Sequence, residues 1–148
     1  MRIGKERVDV RKQELIRQYS GMGFNWQSVI RLDSFKDLMI NDKYHRTHIR
    51  PYSGKMSIGY IDRVMDNLVK RRNIEIACAF LEQDDYLNNH LHIAWSCPIM
   101  LTRKQLARSM KTKEKYLRDT MPILDIKGAL DYFSKRLYAN GTYSNLYV

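Results

Sequence analysis

The chain has 148 residues, with 26 lysines and arginines against 16 aspartates and glutamates, for a formal net charge of +10 at pH 7. This length suits one domain with one core, so we expect a single domain over residues 1–148, and the positive charge favours a polyanionic partner such as nucleic acid. No segment approaches the roughly 20 apolar residues of a membrane span, and the N-terminus lacks the apolar core of a signal peptide, so we expect a cytoplasmic protein that binds no membrane.

The first part of the chain is expected to contain one helix and one strand. A basic helix is predicted at the N-terminus, within residues 1–20, because apolar residues recur there at helical spacing before a glycine-rich stop. Residues 24–32 alternate apolar and polar side chains, as a strand with one buried face does. Residues 33–55 are expected to be irregular, apart from a short helix near residues 35–40.

The rest of the chain alternates predicted helices and strands. Residues 74–82 and 90–97 are predicted strands that a polar turn joins into an antiparallel pair. This order predicts an α+β fold, with a central antiparallel β-sheet flanked by helices in a single domain. The other predicted elements are helices over 57–72, from the cap Thr102 to 113 and over 126–138, an extended stretch over 115–124, and an edge strand over 142–148.

The segment NNHLHIAW, residues 88–95, places one leucine between two histidines. Because side chains alternate along a strand, His90 and His92 point to one face, and Leu91 points to the other. Two neutral imidazoles on one strand face can share a divalent metal ion. They can equally be two half-buried histidines that only pack, and the pair alone does not decide between these alternatives.

A metal site on this strand needs a third ligand. Glu82 ends the preceding predicted strand and would return close to His90 across the hairpin. Strand alternation also places Glu82 on the face of Phe80 and other apolar residues, so a bulge or a strand end would have to turn its carboxylate toward the histidines. One carboxylate and two imidazoles would leave coordination positions open for a substrate phosphate. The substitutes for this carboxylate are Gln83, Asp84 and Asp85.

A structural zinc site competes for the same strand. The two cysteines, Cys78 and Cys97, are too few for a disulfide framework and lie in apolar runs typical of buried thiols. Cys97 faces away from the histidine pair by strand alternation, which disfavours a tetrahedral Cys-His site. His45 and His48 are a further pair of candidate ligands, although a basic DNA-contacting loop or a solvated position suits them better.

The last predicted helix carries a tyrosine beside two cations. Tyr132, Lys135 and Arg136 share a face that adjoins the apolar stripe of the helix. A phenol is a poor nucleophile near neutral pH, but a cation and a metal-bound phosphate can activate it to attack phosphorus. The alternative is a half-buried ring with two solvated cations. The apolar stripe consists of Leu130, Phe133 and Leu137.

A glutamate ahead of a His-hydrophobic-His pair, followed by a helical Tyr-x-x-Lys, resembles the motifs of the HUH endonuclease superfamily. The arrangement looks most like the rolling-circle replication initiators (Rep proteins) of small circular single-stranded DNA phages, viruses and plasmids. The resemblance covers residues 24–140 and implies a ferredoxin-like or RRM-like sheet that bears the histidines and faces the tyrosine helix. The matching residues are Glu82, His90, Leu91, His92, Tyr132 and Lys135.

The resemblance implies metal-dependent, site-specific nicking and joining of single-stranded DNA. His90, His92 and Glu82 would bind Mg²⁺ or Mn²⁺. Tyr132 would attack a phosphodiester and form a covalent 5′-phosphotyrosine intermediate, while Lys135 would orient the phenol or the phosphate. The free 3′-OH would prime rolling-circle replication, or would attack the intermediate and rejoin the strands.

The implied partners are a single-stranded origin hairpin and replication proteins of the host cell, in whose cytoplasm the protein would act. The chain is too short for the helicase domain of many viral relatives, so it would depend on a host or partner helicase and on a DNA polymerase. Position 136 holds arginine where transposases of the superfamily hold a glutamine metal ligand, which favours a replication initiator over transposition or mobilisation. The segment FNWQSVIRLD matches the first motif of the family only loosely, so no residue there receives a role.

Residues 43–55 interleave cationic and aromatic side chains, the combination that binds single strands in a positive groove with stacking platforms. An ordinary surface loop is an equally good interpretation. Residues 103–115 form a second basic segment, which is more typical of a solvated helix face. The predicted DNA-binding residues are Lys43, Tyr44, Arg46, Arg50, Tyr52, Lys55 and Arg136.

Two other functions are compatible with these residues. A non-catalytic single-stranded nucleic-acid-binding module would bind in a salt-sensitive manner and leave the DNA unchanged. A metal-dependent nuclease that uses water would cut without forming a protein adduct. The tyrosine and lysine on the helix after the histidine strand favour the nicking enzyme over both.

Overall fold

A computed structural model describes residues 5–32, 37–41, 44, 47–51, 56–83, 89–135 and 142–148. The helices are α1 (Lys5–Ser20), α2 (Ile58–Val69), α3 (Arg103–Met110) and α4 (Ile126–Phe133). The strands are β1 (Trp26–Ile30), β2 (Asp37–Asn41), β3 (Thr47–Pro51), β4 (Ala77–Gln83), β5 (Asn89–Trp95), β6 (Leu117–Pro122) and β7 (Tyr143–Tyr147).

Five strands form an antiparallel sheet in the order β6-β1-β5-β4-β7, and β2 and β3 form a separate two-stranded sheet. The predicted α+β fold with a central antiparallel sheet and flanking helices is confirmed. The predicted extended stretch and tail are the strands at the two edges of this sheet. None of the helices in the described ranges is long and apolar enough to cross a membrane.

One face of the sheet carries the main core. Leu91, Ile93 and Trp95 of β5 are fully buried there against side chains of α2 and α3. The Trp95 indole donates a hydrogen bond to the Ser28 hydroxyl (3.2 Å), which satisfies the one polar group that this ring buries. α3 is fixed on this face by a capping box at Thr102, the predicted cap.

The opposite face of the sheet carries a second core beneath α1 and α4. Phe80 of β4 contacts Tyr19 of α1 and Phe133 of α4 in this cluster. An ion pair between Lys12 Nζ and Asp131 Oδ1 (3.0 Å) joins the two helices. The sheet is thus covered on both faces, and β4 and β5 are buried along almost their whole length.

Two predicted elements differ from the structure. Residues 37–51 contain the hairpin of β2 and β3, not a short helix in an irregular segment, because Leu38, Met39 and Ile40 pair with a strand that begins only at Thr47. A short apolar run does not distinguish the two structures by its periodicity. α4 ends at Phe133 and is therefore shorter than predicted.

The chain turns directly after the last residue of α4. The Leu130 carbonyl accepts hydrogen bonds from both the Ser134 amide (3.0 Å) and the Ser134 hydroxyl (2.6 Å). The Lys135 amide then closes a tight turn onto the Tyr132 carbonyl (3.4 Å). Residues 136–141, including Arg136, lie outside the described residues.

Replacing Leu91 by alanine tests whether β5 is the centre of the main core. Leu91 is 0% exposed, so the Leu91→Ala variant is expected to lose about 2–5 kcal/mol of unfolding free energy in urea denaturation. Leu124→Ala is the control, because Leu124 is 94% exposed and its truncation should change the free energy by less than about 0.5 kcal/mol. Equal effects of the two substitutions would contradict this core.

Candidate active site

The pairing of β4 with β5 brings the predicted acidic and imidazole groups to one face. Glu82 lies opposite His90, and Phe80 lies opposite His92, in a register that is continuous along both strands. Side chains directly opposite each other in an antiparallel pair point to the same face. Glu82 therefore reaches the histidines without a bulge, because the apolar face that it shares with Phe80 is the second core beneath α1 and α4.

A buried network connects three of the predicted site residues. His92 Nε2 donates to Glu82 Oε2 over 3.0 Å, and the two residues are 5% and 6% exposed. The other carboxylate oxygen, Glu82 Oε1, lies 3.3 Å from Lys135 Nζ. A buried carboxylate needs such partners, since leaving it uncompensated costs several kcal/mol. Glu82 thus contacts both His92 and Lys135.

The local structure of α4 places Tyr132 at the edge of this network. Asp125 caps the start of the helix: its carboxylate accepts a hydrogen bond from the Gly128 amide (3.1 Å) and occupies the space that a Cβ at position 128 would need. Phe133, the last residue of the helix, stacks on the His92 imidazole with ring centroids 5.0 Å apart. Tyr132 therefore meets the same imidazole from the side, at 5.5 Å and an interplanar angle of 77°.

Tyr132 is the most accessible member of the site. Its side chain is 56% exposed, and its hydroxyl makes no hydrogen bond to any other residue in the described ranges. Lys135 Nζ lies 3.9 Å from the centroid of its ring, a cation–π contact. The same ammonium group thus contacts both the Tyr132 ring and the Glu82 carboxylate. The contact between Tyr132 and Lys135 is the one that their shared helical face predicts.

The ionisation of His92 follows from its burial. Desolvation lowers the pKa of His92 below its usual 6.5, against the opposing effect of the Glu82 carboxylate. The positive charge of Lys135 lowers it further. His92 is consequently neutral at pH 7, the form in which imidazole binds metal ions. Its second ring nitrogen, Nδ1, is buried and has no hydrogen-bond partner within the described part of the chain.

The donor chemistry of these residues suits a divalent cation. Carboxylate oxygen is a ligand for Mg²⁺ and Mn²⁺, and neutral imidazole nitrogen is a common ligand for divalent transition metals. Glu82 and His92 are already within 3.0 Å of each other, and Mg²⁺ is commonly held by one or two protein groups together with substrate phosphate and water. Across the described residues, no three His, Cys, Asp or Glu side chains converge as a group that could hold a metal ion. His90 as the third ligand therefore stays a prediction.

An open depression of about 290 Å³ lies beside this network. Tyr132, His90 and His92 line one side of it. The other side is formed by two arginines that were not predicted as site residues, Arg31 after β1 and Arg118 of β6. In the sequence they belong only to a predicted strand and a predicted extended stretch, because the pairing that brings them beside the histidines joins distant parts of the chain.

Only part of the predicted DNA-binding segment lies within the described residues. Tyr44 is described as an exposed turn residue, and Arg50 belongs to β3, whose partner strand is β2. The remaining residues of that prediction lie outside the described residues: Lys43, Arg46, Tyr52, Lys55 and Arg136. The substitutes Asp84 and Asp85 and the candidate ligand His45 are also outside them.

The cysteines are buried and unpaired thiols, as their apolar surroundings predict. Cys97 packs in the main core with Leu91, on the face opposite the histidines, and Cys78 packs in the second core. Burial raises the pKa of the Cys78 thiol, which keeps it protonated and a poor metal ligand. The arrangement gives no support to a Cys-His zinc site.

Comparisons of this chain with protein-family models, with characterised proteins and with solved structures find no match. The function is therefore inferred from the site itself. The geometry offers a solvent-accessible phenol, an ammonium group against its ring, and a buried imidazole–carboxylate pair within the same set of contacts.

The lowered pKa of His92 predicts a pH dependence of stability in metal-free buffer. The unfolded chain takes up a proton near pH 6.5, whereas the folded protein keeps His92 neutral to lower pH, so the fold should lose stability as the pH falls below about 6.5. A His92→Gln variant should lose less stability over the same range, as measured by urea denaturation at a series of pH values. An identical pH dependence of the two proteins would contradict a buried neutral imidazole.

Proposed function

We propose that this protein nicks and rejoins single-stranded DNA, with Tyr132 as the nucleophile that forms a 5′-phosphotyrosine bond. The observation that carries the proposal is one continuous set of contacts, from the Tyr132 ring to Lys135, from Lys135 to Glu82, and from Glu82 to His92. These contacts bring together a phenol, an ammonium group, a carboxylate and an imidazole, the groups needed for attack on a phosphodiester.

Accessibility supports Tyr132 as the attacking group. A nucleophile for a polymer must reach the strand without the strand entering the core, and Tyr132 projects from the end of α4 beside an open depression. Lys135 places its ammonium group against the Tyr132 ring, and the same group contacts the carboxylate of Glu82. Glu82 therefore acts as a positioning residue for Lys135.

The proposed reaction conserves the number of phosphate ester bonds. Tyr132 Oη attacks phosphorus and releases its proton to solvent, which reaches the exposed ring. The bond from phosphorus to the 3′-oxygen breaks, and that oxygen takes up a proton from water. The tyrosine then holds the 5′-end of the strand, so attack by a 3′-OH reverses the step and joins two strands.

His92 and Glu82, with His90 as the predicted third ligand, would hold Mg²⁺ or Mn²⁺ in this site. When bound, the cation would neutralise charge on the phosphate that is attacked. The protein contributes a neutral imidazole, kept so by burial, and a carboxylate already oriented by Lys135. The surroundings of the site are basic, which suits the proposed partners, a single-stranded origin and the replication proteins of a host cell.

The nucleophile can be identified with labelled single-stranded DNA. A pool of hairpin-bearing oligonucleotides is incubated with protein and Mn²⁺ and analysed on a denaturing gel. The wild type should give a protein-linked band that Tyr132→Phe abolishes, because the variant lacks only the attacking oxygen. DNA binding should survive in this variant.

Tyr116→Phe is the matched control, since Tyr116 packs against the main core on the other face of the sheet. An adduct that persists in Tyr132→Phe would exclude this nucleophile, and Tyr138 would be the next candidate. Cleavage without any linked band would identify a nuclease that uses water.

The metal dependence is tested by removing the ligand or the ion. His92→Ala should abolish cleavage, and so should EDTA, while Mn²⁺ should restore the wild type but not the variant. His45→Ala tests the alternative histidine pair and should still cleave, because the proposed ligands are His90, His92 and Glu82. Cleavage that continues in EDTA would exclude the metal role, whatever the identity of the nucleophile.

A further inference from the structure

The depression beside Tyr132 is built by neighbouring strands of the central sheet. Arg118 of β6 lies opposite Val29 of β1, and Val29 lies opposite His92 of β5. These three residues therefore form one row across the sheet, and the ends of the row are separated by about 10 Å, twice the spacing between strands. Arg31 follows Val29 by two residues and points to the same face.

A β-bulge sets the position of Arg118 in this row. The register of β6 against β1 shifts between Gln27 and Val29, so that β6 contains an extra residue there. Bulges re-aim side chains at the edges of sheets. On the near side of this bulge, Leu117 is buried in the main core, and the next residue, Arg118, points to the face of the histidines.

Two cationic side chains line the depression on the side away from the histidines. Arg31 and Arg118 carry these guanidinium groups, and Arg118 Nε also donates to the Lys115 carbonyl (3.1 Å). A guanidinium group is permanently cationic, and its planar fork matches the oxygens of a phosphate. The volume of about 290 Å³ is at the small end of ligand sites, which suits a phosphodiester group more than an enclosed nucleotide.

We infer that Arg31 and Arg118 form a second phosphate subsite, which binds the DNA phosphate next to the one that Tyr132 attacks. The inference rests on the proposed function and deepens it by assigning the direction in which the strand leaves the site. Two phosphates held at once fix the attacked group relative to the tyrosine ring. The DNA strand then crosses β1 toward β6, where the solvent-exposed side chain of Arg118 contacts it.

The test uses thymidine 3′,5′-bisphosphate, the smallest probe that carries two phosphates at nucleotide spacing. Its binding in Mg²⁺ is compared with that of thymidine 3′-monophosphate and thymidine 5′-monophosphate by titration calorimetry. The wild type should bind the bisphosphate at least about tenfold more tightly than either monophosphate, because one more charge-assisted contact is made. The combined Arg31→Ala and Arg118→Ala variant should lose this preference.

Two further variants make the result specific. Arg118→Ala alone removes an exposed side chain and should fold normally while losing part of the preference, which guards against misfolding of the double variant. Arg108→Ala removes the same charge from α3, on the opposite face of the sheet, and should keep the preference. A preference that survives in the double variant, an equal loss in Arg108→Ala, or no preference in the wild type would overturn the inference. None of these readouts requires cleavage, so failure of the subsite is distinguishable from failure of Tyr132 as the nucleophile.

Discussion

The register between β4 and β5 is the constraint on which the site depends. It sets Glu82 opposite His90 and Phe80 opposite His92. A slip by one residue would turn every side chain of one strand to the other face, and would exchange the imidazoles with Leu91 and Ile93 of the main core. Because both faces are buried, the apolar side chains of the two cores fix this register. The positions of Glu82 and the histidines follow from it.

The second core then determines which part of α4 meets the histidines. Phe133 packs on Phe80 and on the His92 ring. Tyr132, the preceding residue, therefore lies beside the edge of the imidazole. Tyr132 is exposed for the same reason that Phe133 is buried. Lys135 completes the arrangement, since its ammonium group is a counter-ion of the buried Glu82 carboxylate.

The sequence predicted the parts of this site that depend only on the side-chain spacing within one strand or one helix. The alternation of a strand placed both histidines on one face, and helical spacing placed Tyr132 beside Lys135. It did not predict Arg31 and Arg118, because strand pairing between distant segments and a bulge in β6 bring them together. The end of α4 at Phe133 also differs from the prediction, since the apolar spacing of Leu130, Phe133 and Leu137 continues past the point where the helix ends.

The most direct test of Tyr132 as the nucleophile is to locate the DNA on the protein chain by mass spectrometry. Trypsin cleaves after Lys127 and Lys135, and the peptide of residues 128–135 contains a single tyrosine. After reaction with the hairpin pool and digestion of the DNA, this peptide should carry a nucleotide joined through its 5′-phosphate to Tyr132. A nucleotide on any other peptide, or cut DNA beside an unmodified peptide, would contradict the account.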